Sequence, residues 1–321
     1  MIDAYIAYIR DVRRYSPRTQ TLYREALEDF ATFAGLSGEE EISAHLIPSR
    51  IREYEARLVR LGRKPRTVHL HMSALSAYCN FLIRQGVLKS NPVRGIKRPK
   101  MEKRLPEYYL QKSMDEYLSA TAHAAGEDEL QILLHTDPKD PLAQTLFKRR
   151  LHRLIIVILY ETGIRRAELI GLRKDGVDAA RQSLRVLGKG DKMREIPLIP
   201  SLVQEILLYL HAASWMFEDS QAQALLLLTE KGRPLYPGYV DKVVKSELDG
   251  YGITGRKSPH VLRHTLATAL LESGAGLNAI KEMLGHSSLA ATEVYTHNSI
   301  QRLKAQYINA HPRAKNEESH D

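Results

Sequence analysis

Six side chains carry the chemistry this sequence offers: Arg165, Lys189, His260, Arg263, His286 and Tyr295. They comprise two guanidiniums, an ammonium, two imidazoles and a phenol. No carboxylate pair, Ser/His/Asp set, phosphate-binding glycine loop or metal cluster stands among them. Three permanent cations and two imidazoles suit an anion that gains negative charge in a transition state. A phosphodiester under attack is such an anion.

Each residue sits in a segment with its own logic. TGIRRAELIGL (162–172) follows an apolar run, LHRLIIVILYETG, that reads as a buried helix ending at Gly163. An arginine beside a buried helix needs a counter-charge, either Glu168 three residues on or an anionic ligand. Lys189 lies between Gly188 and Gly190, where a tight turn and close approach to a ligand are permitted. A solvated turn lysine is the alternative reading. In SPHVLRHTLATALLESG (258–274), His260 and Arg263 are i,i+3 neighbours, and Leu262, Leu266 and Leu270 lie on another face. His260 and His264 also have zinc-like spacing, but no glutamate follows His260 as HExxH requires, and no cysteine is near. In LGHSSLAATEVYTH (284–297), Gly285 closes one helix, His286 sits in the break, and Tyr295 lies near the end of the next short helix. Read alone, that tyrosine packs with a polar handle.

These segments need a scaffold, and the periodicities describe one. Residues 1–100 read as four helices: one near 2–14, then starts near Pro17, Pro48 and Pro65 and ends at Gly35, Gly62 and Gly86. Ser16 caps the second, whose buried stripe is Tyr23, Leu27, Phe30 and Ala34. Pro92, Pro99 and Pro106, with six Lys or Arg from Arg94 to Arg104, mark an extended basic linker. It fits either a run along a phosphate backbone or a solvated tether. We expect a helical domain over 1–100, a linker over 101–106 and a catalytic domain over 107–321. In the latter, residues 107–121 read as helix and 122–147 as a loop or short-helix insertion. Residues 183–199, SLRVLGKGDKMREIPLI, switch to period two around a Gly-Lys-Gly-Asp turn and read as a β-hairpin. Helices return from Ser201 onward. The expected fold class is mainly α with a small antiparallel sheet.

Composition bounds the function. The chain of 321 residues carries 47 Lys plus Arg against 38 Asp plus Glu, a net charge of +9, and residues 1–100 alone hold +8. A polyanionic partner is favoured, gripped chiefly by the first third. The single cysteine, Cys79, excludes an internal disulfide framework and multi-cysteine metal sites, and a reducing compartment follows. The longest apolar run, Leu154–Tyr160, is far shorter than the ~20 residues a spanning helix needs. The N-terminus lacks a basic-then-apolar signal layout. The expected location is cytoplasmic.

Taken together, TGIR, LGKG, HVLRH, LGH and a tyrosine nine residues beyond that last histidine resemble the tyrosine recombinase (phage integrase) family, Xer-type in particular, over nearly the whole chain. The resemblance implies a helical core-binding domain and an α+β catalytic domain. It implies Arg165 and Arg263 as phosphate-holding arginines, Lys189 as the strand-turn lysine, His260 and His286 as the histidines, and Tyr295 as nucleophile. Arg166 and Lys192 are the competing registers for Arg165 and Lys189. It further implies double-stranded DNA as substrate, a 3′-phosphotyrosyl intermediate, a Holliday junction and no metal, ATP or other cofactor. The expected assembly is a homo- or hetero-tetramer on paired sites, with residues near 300–315 docking on a neighbour. A septal DNA translocase is a further expected partner. Chromosome dimer resolution is the expected role, with a mobile-element integrase or transposase, or a type IB topoisomerase, as alternatives. A catalytically idle DNA-binding protein is the reading from a different class. The stretch 122–147 departs from the compact Xer pattern.

Overall fold

The computed structural model describes residues 1–36, 42–100, 108–188, 192–217, 224–251, 255–285 and Tyr307. Two compact units are present, Met1–Arg104 and Leu105–Asp321.

The first unit is helical: α1 (Ile2–Asp11), α2 (Pro17–Ala34), α3 (Ile42–His45), α4 (Pro48–Arg60) and α5 (Pro65–Arg84). The Ser16 hydroxyl accepts from the Thr19 N–H at the start of α2, the cap expected there. Leu27, Phe30 and Ala34 are buried, with Tyr23 packed partly buried against the same core. The short helix α3, a fifth beyond the four expected, was not visible in the sequence pattern, and α1 stops three residues earlier than its expected end. Tyr54 lies fully buried, its hydroxyl 2.6 Å from Asp29 Oδ2 and 2.7 Å from His71 Nδ1. Those bonds satisfy a polar atom that burial would otherwise penalise. Cys79 is buried in this core, which pushes its thiol up to about 12.

The second unit is built around α8 (Pro141–Thr162), with α6 (Gln111–Ala120), α7 (Glu127–Leu134), α9 (Arg166–Ile170), α10 (Pro200–Met216), α11 (Pro237–Glu247), α12 (Pro259–Glu272) and α13 (Leu277–Leu284). From Leu154 to Thr162 every residue of α8 is buried, so this helix is wrapped on all sides, with α10, α11 and α12 among its neighbours. A three-stranded antiparallel sheet, β1 (Val177–Asp178), β2 (Ser183–Leu187) and β3 (Met193–Pro197), completes the unit. Leu184 pairs with Ile196 and Val186 with Arg194, and all four are buried. The period of two therefore turns Arg194 inward beside Ile196.

The structure sharpens two expectations. Of the two readings for 122–147 it is not the loop but the short-helix form: a 3-10 turn (Ala122–Ala125), α7 and the first two turns of α8. Leu130 and Leu133 of α7 are fully buried, and the buried Arg150 donates to Ala125 O and Gly126 O. Pro141 is the first residue of α8, with Asp140 capping the Leu142 N–H at 2.7 Å. Nor is the chain helical throughout after Ser201. Leu226–Leu228 are buried in irregular backbone tied by bridges Arg173–Leu225 and Leu228–Pro234. Among the described residues, no helix is long and apolar enough to cross a membrane.

Candidate active site

Glycine 163 ends α8 in the left-handed conformation, φ +60°, and lets the chain turn directly into α9. A β-carbon there would lie 2.5 Å from Leu284 Cδ2 and 3.0 Å from Leu266 Cδ2. The absence of a side chain thus allows α12 and α13 to close over the end of α8.

Arg165 is the N-cap residue of α9. Its backbone N–H donates to Glu168 Oε2 at 2.8 Å, one half of a capping box. Its guanidinium donates to Glu168 Oε1 at 2.8 Å and to the Gly285 carbonyl at 2.8 Å. Arg263, buried on α12, donates to the Gly163 and Leu284 carbonyls, both at 2.6 Å. Arg194, buried on β3, puts two amino groups on Glu168, at 3.0 and 2.8 Å, and its Nε on the Met283 carbonyl at 3.1 Å. Three guanidiniums from three elements thus occupy the carbonyls of three consecutive residues, Met283, Leu284 and Gly285. These are end groups that a helix leaves unbonded and negatively polarised.

Electrostatics follow from this packing. Burial opposes ionisation of Glu168, but the hydrogen bonds from Arg194 and then Arg165 outweigh it and hold the carboxyl below its usual value. Burial, then the neighbouring Arg165, lowers the Arg263 guanidinium to about 10, so it stays charged at neutral pH. His260 is lowered by desolvation and then by Arg166 and Arg263, which keeps its imidazole neutral at pH 7.

The structure therefore brings Arg165 and Arg263 together at one helix end. Arg166 turns away and pairs with Asp241. Lys189, His286 and Tyr295 lie outside the described residues, but the segments leading to two of them reach this cluster. Gly188 precedes Lys189, and a β-carbon on it would lie 3.3 Å from an Arg194 amino nitrogen and 3.7 Å from Glu168 Oε1. The close approach expected at this glycine is thus to an internal ion pair. Gly285, at φ +66°, precedes His286, and its β-carbon would meet the Arg194 guanidinium at 3.2 Å. His260 and His264 are exposed, and among the described residues no cluster of metal-ligating side chains occurs. Of the segment near 300–315, only Tyr307 is described. It is buried, and its hydroxyl donates to the Glu161 carbonyl at 2.7 Å.

Arg194 escaped the sequence reading. Its signal was an arginine at an inward strand position, in register with Ile196. Tyr109 escaped as well: its N–H donates to Thr265 Oγ1 at 2.9 Å, and its hydroxyl lies 3.3 Å from Arg256 O and 3.2 Å from Ser258 N. It anchors the start of α12, which carries His260 and Arg263.

Comparison with known proteins agrees with this geometry. Residues 124–302 match the phage integrase family, and residues 2–86 match the phage integrase N-terminal SAM-like domain. The tyrosine recombinase XerC of Alcanivorax borkumensis is 32% identical over 100% of this chain and 96% of the relative. The tyrosine recombinase XerC of Proteus mirabilis is 34% identical over 99% and 95%. Among solved structures, a XerH site-specific recombinase bound to palindromic difH substrate covers 95% of this chain and 83% of its own, at TM-score 0.64 and 20% identity. The Tn1549 transposon integrase in complex with transposon right end DNA covers 94% and 97%, at TM-score 0.63 and 19% identity. The chain belongs to the phage integrase family, the tyrosine recombinases. Within that family it is a Xer-like site-specific recombinase.

Proposed function

We propose that the protein cuts and rejoins double-stranded DNA through a covalent bond between Tyr295 and a 3′-phosphate. The observation that carries this reading is the meeting of Arg165 and Arg263 at the end of α13, where the chain continues into His286. A guanidinium has five N–H donors, and among the described residues each of these arginines meets two protein acceptors. In this reading the other donors take the non-bridging oxygens of a phosphate, which forked guanidiniums bind well.

In this mechanism Tyr295 attacks the scissile phosphorus and the 5′-oxygen leaves. A phenol has a reference pKa of about 10 and needs a proton acceptor near neutrality. The neutral His260 fits that role. Lys189 protonates the departing 5′-oxygen, and His286 donates to the phosphate. The phosphotyrosyl bond conserves the phosphodiester linkage, so rejoining to another 5′-hydroxyl requires neither ATP nor a metal. Two such exchanges pass through a Holliday junction. Four subunits on paired sites carry them out, with the segment near 300–315 docking on a neighbour. Relatives named XerC support a Xer-type role, which we read as resolving chromosome dimers. The cytoplasmic location and a septal DNA translocase as partner belong to the same reading, with a mobile-element role as the alternative. The domain boundary near 100–106 belongs to the same reading.

The test is covalent trapping. Cells expressing the chain are lysed in denaturant, and DNA bound to protein is recovered and sequenced. Wild type yields adducts enriched in one site. Tyr295→Phe yields none while still shifting the same duplex in binding assays. Adducts that persist in Tyr295→Phe refute the assignment. Relaxation of a plasmid lacking that site points to a topoisomerase.

A further inference from the structure

Arg165, Arg194 and Arg263 meet at the same helix end, but they are not equivalent. The Arg165 side chain is 35% exposed, whereas that of Arg194 is 6% exposed and that of Glu168 is 5% exposed. Arg194 places both amino groups on Glu168 and its Nε on Met283 O. A guanidinium buried and committed in this way does not face a DNA phosphate. Its surroundings show what it does instead. Glu168 takes a side-chain and a backbone N–H of Arg165. Gly188, which begins the turn carrying Lys189, packs on the Arg194–Glu168 pair. Gly285, which precedes His286, packs on the face of the Arg194 guanidinium. One ion pair therefore meets Arg165, Gly188 and Gly285, three positions distant in sequence.

We propose that Arg194 is a positioning residue for strand cleavage: through Glu168 it sets the placement of the Arg165 guanidinium at the end of α13, where Gly188 and Gly285 also close on the ion pair. This rests on the reading of the reaction given above. The pair is buried, so its interaction is little screened and its geometry is fixed by two parallel bonds. Lysine cannot reproduce it, because a single ammonium cannot serve both carboxylate oxygens and the Met283 carbonyl with planar fork geometry. Without Arg194, Glu168 stays buried with Arg165 alone, and its carboxyl rises toward neutrality. A protonated Glu168 no longer holds Arg165 by charge.

The test uses the full chain and a nicked duplex carrying the sequence recovered by covalent trapping. Arg194→Gln and Arg194→Lys are compared with wild type for duplex affinity, single-turnover cleavage rate and the pH dependence of that rate. The expected result is affinity within about threefold of wild type and cleavage reduced by about a hundredfold, the scale of a misplaced reacting group. In Arg194→Gln the rate gains an acid limb, falling as pH drops and Glu168 protonates, and adding Glu168→Gln removes that limb. If Arg194→Gln fails to fold, Arg194→Lys retains the charge and is read by the same loss of cleavage at preserved affinity. Wild-type cleavage rate and pH profile in either folded variant overturn the proposal. Parallel loss of affinity and cleavage, without a new acid limb, also overturns it, because that pattern marks a purely structural arginine. If wild type itself forms no adduct, the parent reading fails and this one with it. An active wild type beside unaffected variants removes only the role of Arg194.

Discussion

Arg263 donates an N–H to the Leu284 carbonyl at 2.6 Å, and this bond joins α12 to the last turn of α13. A second bond of the same length runs from Arg263 to Gly163 O at the end of α8. One side chain therefore ties three helices while keeping donors for a ligand. Replacing Arg263 by alanine should lower cleavage by about 10²–10³, the effect of removing one oxyanion donor. It should also leave two buried carbonyls without a partner, costing about 1–3 kcal/mol of stability. Quench-flow cleavage and denaturant unfolding separate the two. A wild-type rate at a suitable temperature would remove Arg263 from the reaction.

Gly163 tests the packing beneath the site. An alanine at φ +60° is strained, and its β-carbon collides with Leu284 and Leu266. Gly163→Ala should destabilise the protein by about 1–3 kcal/mol. Urea melts of the purified variant measure this, and an unchanged midpoint would contradict the closeness of the three helix ends.

His260 sets the acid side of the pH profile. Its folded-state value lies below the ordinary histidine value of about 6.5, so the unfolded chain takes up this proton first as pH falls. Stability tied to His260 is complete above 6.5 and is lost as pH drops from 6.5 toward the lower folded value. Glu168 behaves likewise from the ordinary glutamate value downward. In the proposed reaction, neutral His260 assists the phenol, so the cleavage rate should hold through pH 6.5 and fall below it. His260→Gln should lower the rate and flatten that limb. An acid limb with the same midpoint in His260→Gln would assign it elsewhere.

Duplex binding should depend steeply on salt. Residues 1–100 carry a net charge of +8, and each neutralised phosphate adds a slope of about −0.9 to log affinity against log salt. For about six contacts, affinity falls about a thousandfold between about 50 and 200 mM salt. A flat titration would show that phosphate contacts do not dominate.

Much of this architecture was legible because its determinants are local. Ser16, Pro17, Pro48 and Pro65 each announce a helix start, and the apolar girdle of α8 follows from the run at 154–160. Within 122–147 loop and short helix both stayed open, because proline and aspartate serve turns and helix starts alike, and here Asp140 and Pro141 start α8. Glu168 was legible as a partner for Arg165, since three residues separate them. Arg194 was not, because its partners Glu168 and Met283 lie 26 and 89 residues away, and no local periodicity reports such a meeting. Tyr109 was hidden for the same reason, with Thr265 156 residues away.

The three arginines gathered on Met283, Leu284 and Gly285 have a consequence for charge matching. Glu168 cancels one of the three positive charges, and the end of α13 supplies roughly half an elementary charge more, leaving the cluster near +1.5 before any nucleic acid arrives. A resting phosphodiester brings one negative charge and accumulates more as an oxyanion attacks it. In the proposed reaction the cluster therefore carries more charge than the intact backbone balances and comes closer to neutral balance with the crowded phosphorus midway through exchange, the inequality that would turn binding into rate.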